Sequence, residues 1–421
     1  MVVHYRISGD TATAIAASIE AGVRDQALAP GALLPPVRTL AGELNVSPAT
    51  VAAAYQRLRQ RGIVTTAGRN GTSIREKPPV AGLRSARPLS IPSHLRDLAS
   101  GYPDVKLLPV KTNYSDGGVL PELKAAAGKR LPFDAPITVV NGAADAIDRV
   151  LMAHLRPGDK VAVEDPGWAA CFDILALQGL VPVPVPVDDE GPTLDGILSA
   201  LDKGVSALIV TARAQNPMGA AISAQRAAVI RPLIKDLLVI EDDHAAELAG
   251  VPLHPIADAG AQWAFVRSAS KPYGPDLRCC VLTGDPETVS RVEGRMRLTA
   301  GWVSTILQRK LLHLWDTFDV SSASAAYAAR RDMLLTALAD RGITGHGRTG
   351  INVWIPVRDE LSVVSALRDN GFAVLPGRSY RLVSPPAVRI TVSTLDKREA
   401  ERIADVIAEA EQNELRGVLG R

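Results

Sequence analysis

The spacing of apolar positions changes period several times along the 421 residues. In "ATAIAASIEAGVRDQAL" (12–28), Ile15, Ile19 and Val23 recur at helical spacing, which predicts an amphipathic helix. "LPPVRTLAGELNV" follows, with Pro35 and Pro36 opening a second, short helix. "VSPATVAAAYQRLRQRGIV" predicts a third. Ser47 is its N-cap, Pro48 its first helical residue, and Val51, Tyr55 and Leu58 its inward face. "IVTTAGRNGTSI" then switches to two short β-rich runs around Arg69-Asn70-Gly71, a hairpin. Three helices and a hairpin make a winged helix-turn-helix. Residues 75–97, rich in Pro, Arg and Ser, lose all periodicity and read as a tether.

Beyond the tether the pattern becomes a long alternation. "PITVV", "KVAVE", "LVPVPVPV", "SALIVT", "LLVIED", "WAFVRS" and "RCCVLTG" are short apolar runs bounded by turns, with helical stretches such as 144–155, 168–178 and 222–236 between them. This is βαβ logic and predicts an α/β body with a mostly parallel sheet covered on both faces. In "VPVPVPV" three prolines remove ladder donors, so this run belongs at an edge or in a connection. The expected boundaries are a head over 1–75, a linker over 76–97, a large domain over 98–310 and a smaller C-terminal α+β subdomain over 311–421.

Composition narrows the class. The 47% hydrophobic content suits a large core and excludes a disordered chain. No apolar run reaches the length of a membrane span, and the N-terminus lacks the layout of a secretion signal. Three cysteines, two of them adjacent, have no metal spacing and suit a reduced cytoplasm. The net charge is only +2, but residues 1–77 carry nine Arg/Lys against five acids. An anionic partner at the N-terminal end is therefore expected. The small residues Ser47, Ala49 and Thr50 let the third helix enter a major groove about 12 Å wide. Arg57, Arg59 and Arg61 lie further along for backbone contact, and Arg69 sits at the wing tip.

In open parallel sheets ligands sit at the carboxyl ends of the strands. The residues there are Asn141-Gly142-Ala143-Ala144, Asp165-Pro166-Gly167-Trp168, Arg213-Ala214-Gln215-Asn216, Glu241-Asp242-Asp243-His244 and "RSASKPYGPDLR" (267–278). A buried lysine forms an imine with an aldehyde, because burial lowers its pKa. A carboxylate can hold a pyridine nitrogen protonated, an Asn can donate to a phenolate, and an aromatic can stack on a flat ring. Two serines and an arginine can hold a phosphate. Together these are the parts of a pyridoxal-phosphate (PLP) site, whereas each alone has an ordinary reading as cap, core filler, turn residue or solvated surface.

Both halves resemble known families. "LLPPVRTLAGELNVSPATVAAAYQRLRQRGIVTTAGRNGTSI" resembles the DNA-binding domain of GntR-type repressors. The resemblance implies operator contacts through Arg38, Ser47, Thr50 and Gly71. Pro48 stands where the family often has Arg, so that contact is missing. "NPMG", "EDDH", "SASK" and "LR" resemble fold-type I aminotransferases. That resemblance implies Lys271 as the Schiff-base lysine and Asp242 as the partner of the pyridine nitrogen, with adjacent Asp243 a rival. It also implies Asn216 at the ring hydroxyl oxygen and Trp168 on the ring face. Ser268, Ser270, Arg278 and the Gly142-Ala143 backbone fall at the phosphate, and Arg389 falls at a substrate carboxylate. Tyr114 matches a tyrosine that reaches the phosphate of the neighbouring subunit. His244 replaces a tyrosine that donates to the phenolate oxygen.

A GntR-type head joined to an aminotransferase-like body resembles the MocR subfamily of transcription regulators. The resemblance implies a homodimer that binds operator DNA and senses PLP or an amino-acid-like effector at Lys271. The competing reading is a working aminotransferase carrying a DNA-binding domain, which sustained turnover with an amino acid and a keto acid distinguishes.

Overall fold

The computed structural model describes residues 5–24, 27–29, 31–60, 63–66, 71–75 and 118–419. They fall into two compact units, one on residues 5–75 with 156–158 and one on 118–155 and 159–419. The 76–97 tether, Tyr114, Arg61 and Arg69 lie outside the described residues.

The head contains α1 (Ala12–Arg24), α2 (Val37–Leu44), α3 (Pro48–Gln60), β1 (Val64–Thr66) and β2 (Thr72–Ile74). The first helix ends earlier than the periodicity suggested. Ile15, Ile19, Leu40, Val51, Tyr55, Leu58 and Ile74 close one core. Burying each of the aliphatic ones contributes roughly 1.5–3 kcal/mol. β1 and β2 pair antiparallel, with Val64 opposite Ile74. Ala32 and Leu34 extend this wing as a third, irregular strand, through hydrogen bonds with Ile74 and Thr72.

The body opens with α4 (Pro121–Arg130) and β3 (Ile137–Val140), then α5 (Ala143–His154), β4 (Lys160–Asp165), α6 (Ala169–Leu177) and β5 (Val181–Asp188). There follow β6 (Gly191–Pro192), α7 (Leu194–Asp202), β7 (Ala207–Thr211), α8 (Ala224–Ile230), β8 (Leu238–Asp242), β9 (Gln262–Ser268), α9 (Ser270–Tyr273) and β10 (Cys280–Gly284). The sheet order is β3-β10-β9-β8-β7-β4-β5-β6. β4, β5, β7, β8 and β9 pair parallel, while β10 runs antiparallel between β9 and β3. Successive strand residues feed opposite cores: Val239 joins one and Ile240 the other. That two-sided burial explains the unbroken apolar runs. The helix expected over 222–236 is only α8 followed by a 3-10 turn at Arg231–Leu233, because Pro232 ends α-helical bonding.

The proline-alternating strand β5 lies next to the sheet edge. Among the described residues its only outer neighbour is the two-residue β6, at Val187 and Asp188. Because donors of successive residues point to opposite edges, Pro182, Pro184 and Pro186 strip one edge of N–H groups. The valines keep theirs for β4. On the stripped side the carbonyl of Pro186 accepts from Thr193 N at 2.8 Å.

The rest of the body comprises α10 (Pro286–Leu298), α11 (Thr305–Thr317), α12 (Ser321–Ala339), β11 (Asn352–Pro356), α13 (Glu360–Asp369), β12 (Leu375–Pro376), β13 (Ala387–Thr391) and α14 (Lys397–Leu419). β11, β13 and β12 form an antiparallel sheet with its own core on α12, α13 and α14. Among the bonds that stitch this smaller subdomain to the large sheet are two groups beside the strand ends. Thr349 Oγ1 accepts from Ala214 N at 2.8 Å and donates to Gly219 O at 3.0 Å. The Asp165 carboxylate takes the backbone N–H groups of Leu382, Val383 and Ser384 and the Ser384 hydroxyl, all within 3.0 Å. Both attachments flank the strand ends where the candidate residues lie.

Candidate functional site

Three clusters form at the carboxyl ends of the body strands. The first surrounds the N-terminus of α5. Gly142 caps that helix with φ +107 and no side-chain hydrogen bond. That φ strains any residue with a Cβ, and a Cβ there would lie 2.2 Å from Arg278 Nη2 and displace the guanidinium, so the position favours glycine. Arg278 donates through Nη2 to Asn141 O (2.9 Å) and through Nη1 to Ser270 Oγ (3.2 Å). The Ser268 hydroxyl reaches Ser270 Oγ at 3.3 Å. Gly142, Ala143, Ser268, Ser270 and Arg278, far apart in sequence, thus meet where a helix N-terminus presents free N–H groups. This donor set suits a phosphate.

The second cluster separates the two neighbouring aspartates. Asp243 is fully buried and saturated. Arg213 grips it through Nε to Oδ1 (2.9 Å) and Nη2 to Oδ2 (2.7 Å), and Arg267 places Nε and Nη2 on Oδ2 at 3.0 and 2.7 Å. Burial pushes its carboxyl pKa up, but the two guanidiniums outweigh this and hold it below the ordinary range. Asp242 is also buried, yet its Oδ1 has no partner, while Oδ2 lies 3.0 Å from His244 Nδ1. Of the rivals, Asp242 alone has an acceptor left to offer.

Lys271 differs from the sequence expectation, and His244 gains a partner within the chain. His244 pairs with Asp242. Burial lowers its pKa and the Lys271 charge adds to that, but the charge and hydrogen bond of Asp242, together with the Asp243 charge, outweigh them and leave a net rise. Lys271 is exposed, not buried. The four-residue α9 turns Pro272 into the core and leaves the lysine on the open side of the strand ends.

The third cluster joins the two subdomains. Arg389 on β13 donates from Nη1 to Asn216 Oδ1 at 3.1 Å and lies 4.7 Å over the ring of Tyr380. Its Nε is buried without a partner, and burial lowers its pKa. Asn352 Nδ2 approaches the same Asn216 oxygen at 3.4 Å. Trp168, half-buried, is the residue before α6, and the preceding Gly167 N–H binds Tyr380 O at 2.7 Å.

The sequence reading missed Glu164, which is buried one residue before Asp165. It accepts from Thr211 N (3.0 Å), Thr211 Oγ1 (2.8 Å) and Gln215 Nε2 (3.2 Å). Burial pushes its pKa up to about 7; these hydrogen bonds pull it down and the Asp242 charge adds to the rise. Glu241 rises to about 8, again by burial, with Ile256 N and Ala257 N donating to it. An acid ending an apolar strand run was the available signal for both. Among the described residues no cluster has the makings of a metal site, and no helix is long and apolar enough to cross a membrane.

In the head, Ser47 Oγ accepts from Thr50 N at 3.1 Å and lies 2.8 Å from Thr50 Oγ1. Arg38 and Ser47 are exposed, and Gly71 has φ +82 beside Leu33. Arg57 is exposed and donates to the Thr13 hydroxyl of α1.

The architecture is therefore a winged helix-turn-helix head followed by a fold-type I aminotransferase-like body. Comparison with known proteins agrees on both halves: residues 11–74 match the "Bacterial regulatory proteins, gntR family" and residues 104–407 match "Aminotransferase class I and II". The "Vitamin B6 salvage pathway transcriptional repressor PtsJ" of Salmonella typhimurium is 38% identical, across 96% of this chain and 99% of its own. The "Probable rhizopine catabolism regulatory protein MocR" of Rhizobium meliloti is 25% identical over 66% of each chain. The solved kynurenine aminotransferase of Pyrococcus horikoshii superimposes with a TM-score of 0.64 at 22% identity, over 70% of this chain and 81% of that one, a likeness of fold. The chain belongs to the MocR subfamily of GntR-type transcription regulators.

Proposed function

We propose that this regulator binds PLP in its body and that PLP occupancy changes how its head binds operator DNA. The observation that carries the reading is the unpartnered, buried Oδ1 of Asp242 beside a saturated Asp243. A buried acceptor without a donor costs roughly 1–3 kcal/mol, and a protonated pyridine nitrogen would relieve that cost. The residues fit the rest of the cofactor as well. Gly142, Ala143, Ser268, Ser270 and Arg278 would hold the phosphate, Trp168 the ring face, Asn216 the ring oxygen and Lys271 Nζ the aldehyde carbon. When bound, PLP supplies an electrophilic carbon that condenses with amines. His244 orients the Asp242 carboxylate through Oδ2, leaving Oδ1 to accept. On this reading Tyr114 completes the phosphate site from a second subunit, and the working form is a homodimer whose two heads read paired half-sites. Arg38, Ser47, Thr50, Arg69 and Gly71 would contact the DNA.

The printed name of the 38%-identical relative, a repressor of vitamin B6 salvage, supports PLP itself as the signal. Arg389 supports a second signal. Its buried, unpartnered Nε next to Asn216 suits the carboxylate of an amino compound. Operator affinity of apo and PLP-loaded protein at one salt concentration tests the proposal. Coupling is reciprocal, so DNA must change PLP affinity by the same factor. Equal operator affinities for the two forms would reject PLP as the signal and leave the amino compound.

A further inference from the structure

The Asp243 cluster raises a question that the PLP reading leaves open: two buried arginines share one buried carboxylate. Arg213 and Arg267 are each 7% exposed and Asp243 is 0% exposed. Stability does not require this arrangement, because apolar residues of similar volume often replace a buried ion triad without loss. Its location is distinctive. The β7–β8 ladder ends at Thr211 opposite Asp242, and the β8–β9 ladder ends at Asp242 opposite Val266. Arg213, Asp243 and Arg267 stand one or two residues beyond those last pairs, one on each strand. Backbone bonds run on for one more step, Ala212 N to Asp242 O (2.9 Å) and Asp243 N to Val266 O (2.8 Å), and Arg267 still pairs with Val281 of β10; the side-chain bonds of the three residues add to these where the strands end.

Resting on the PLP reading above, we propose that Arg213, Asp243 and Arg267 are positioning residues: a buried triad that fixes the three strand ends carrying Asn216, Asp242–His244 and Ser268–Lys271 relative to one another. Each member lies within four residues of a group that would touch the cofactor. Ala214, held at φ +55, and Gln215 separate Arg213 from Asn216. Asp243 lies between Asp242 and His244, and Arg267 immediately precedes Ser268. The remaining guanidinium nitrogens anchor the triad outward. Arg213 Nη1 donates to Val251 O at 2.8 Å and Arg267 Nη1 to Arg130 O at 2.9 Å, at the end of α4. Glu247 Oε1 lies 3.9 Å from the same Arg267 nitrogen. Arg213 spans both carboxylate oxygens and Arg267 sets two nitrogens on Oδ2, so each guanidinium is held by two bonds and transmits position as well as charge. Side chains that hold a first contact in place are worth about 10- to 100-fold in ligand affinity in comparable sites.

The test compares the full-length wild type with an apolar triad (Arg213→Met, Asp243→Leu, Arg267→Met) and with Arg267→Lys, which keeps the charge and loses the fork. PLP affinity is titrated by fluorescence, the absorbance of bound PLP is followed against pH, and Tm is measured without PLP. The apolar variant is expected to hold its Tm while PLP Kd rises about tenfold or more and the pH profile of the absorbance shifts. Arg267→Lys should fall between it and wild type. A folded apolar variant with wild-type Kd and profile would overturn the positioning role and leave the PLP reading intact. Failure of the wild type to bind PLP would overturn the reading itself. Should the apolar variant not fold, Arg267→Lys decides: a normal Tm with weakened PLP binding supports the proposal, and unchanged binding overturns it. If neither variant folds, the triad serves the fold alone and the proposal is wrong.

Discussion

Two helix N-termini built from small residues, those of α3 and α5, are finished in opposite ways. At α3 of the head, Ser47 turns its own hydroxyl onto Thr50 N, so the helix caps itself and presents an exposed edge of side chains. At α5 of the body, Gly142 has no side chain with which to cap, and Arg278 closes over the same point from across the sheet. A self-capped terminus suits docking of side chains into a groove, whereas an open terminus backed by an arginine suits a discrete anion. On the proposed reading, the same backbone feature would serve a polymer in one unit and a small phosphate in the other.

The contrast can be tested most severely at Lys271. Lys271→Ala is expected to abolish covalent retention of PLP after borohydride reduction, read by mass spectrometry, with head folding unchanged; retained PLP would reassign the site. Next comes Gly142→Ala, which meets Arg278 Nη2 and demands φ +107 of a residue with a Cβ. PLP Kd should rise about 100-fold, since strain and clash each cost on the order of 1–3 kcal/mol. Normal PLP affinity would mean that the α5 terminus is not the anion site.

A third test uses pH. Glu164 and Glu241 belong to the body, and burial raises both, to about 7 and about 8. A carboxyl raised in the folded state binds more protons there than in the unfolded chain. Body stability should therefore be highest below pH 4.5 as far as these two groups determine it, and fall as pH rises from 4.5 to about 8. Glu164→Gln should match wild type near pH 4.5 and exceed it above pH 7 by up to about 3 kcal/mol, as each pKa unit is worth about 1.4 kcal/mol. Parallel denaturation curves for variant and wild type at pH 5 and pH 8 would contradict this.

Smaller effects are expected in the head. Ser47→Ala removes the α3 cap and should cost about 1 kcal/mol of head stability, read by thermal melting, together with weaker operator binding. Arg38→Ala should reduce the salt slope of operator binding by about one and leave PLP affinity unchanged. An unchanged slope would remove Arg38 from the phosphate contacts.

The fold was largely legible because it depends on local periods. The head's helical spacing, the Ser47-Pro48 start, the apolar strand runs and the proline alternation of β5 each carry their own geometry. The candidate residues were legible as a set by their shared place after strands. Their partners were not. Asp242 and Asp243 are adjacent letters with the same chemistry, and only the converging guanidiniums of Arg213 and Arg267 tell them apart. His244 was expected at a ligand oxygen, and its Nδ1 has a partner the sequence did not indicate, Asp242 Oδ2 at 3.0 Å. Lys271 was expected in a buried place and stands exposed, because burial in a four-residue helix depends on which residue the surrounding strands admit.

By itself the sequence determined the two-part architecture, the strand-end address of the chemistry and the residue types available there. Backbone hydrogen bonding and side-chain polarity act over a few residues, so these could be read locally. Only the tertiary structure decided which acceptor is spent and which is left. That depends on distances between strands far apart in the chain, and a buried carboxylate's role is set by which donors reach it.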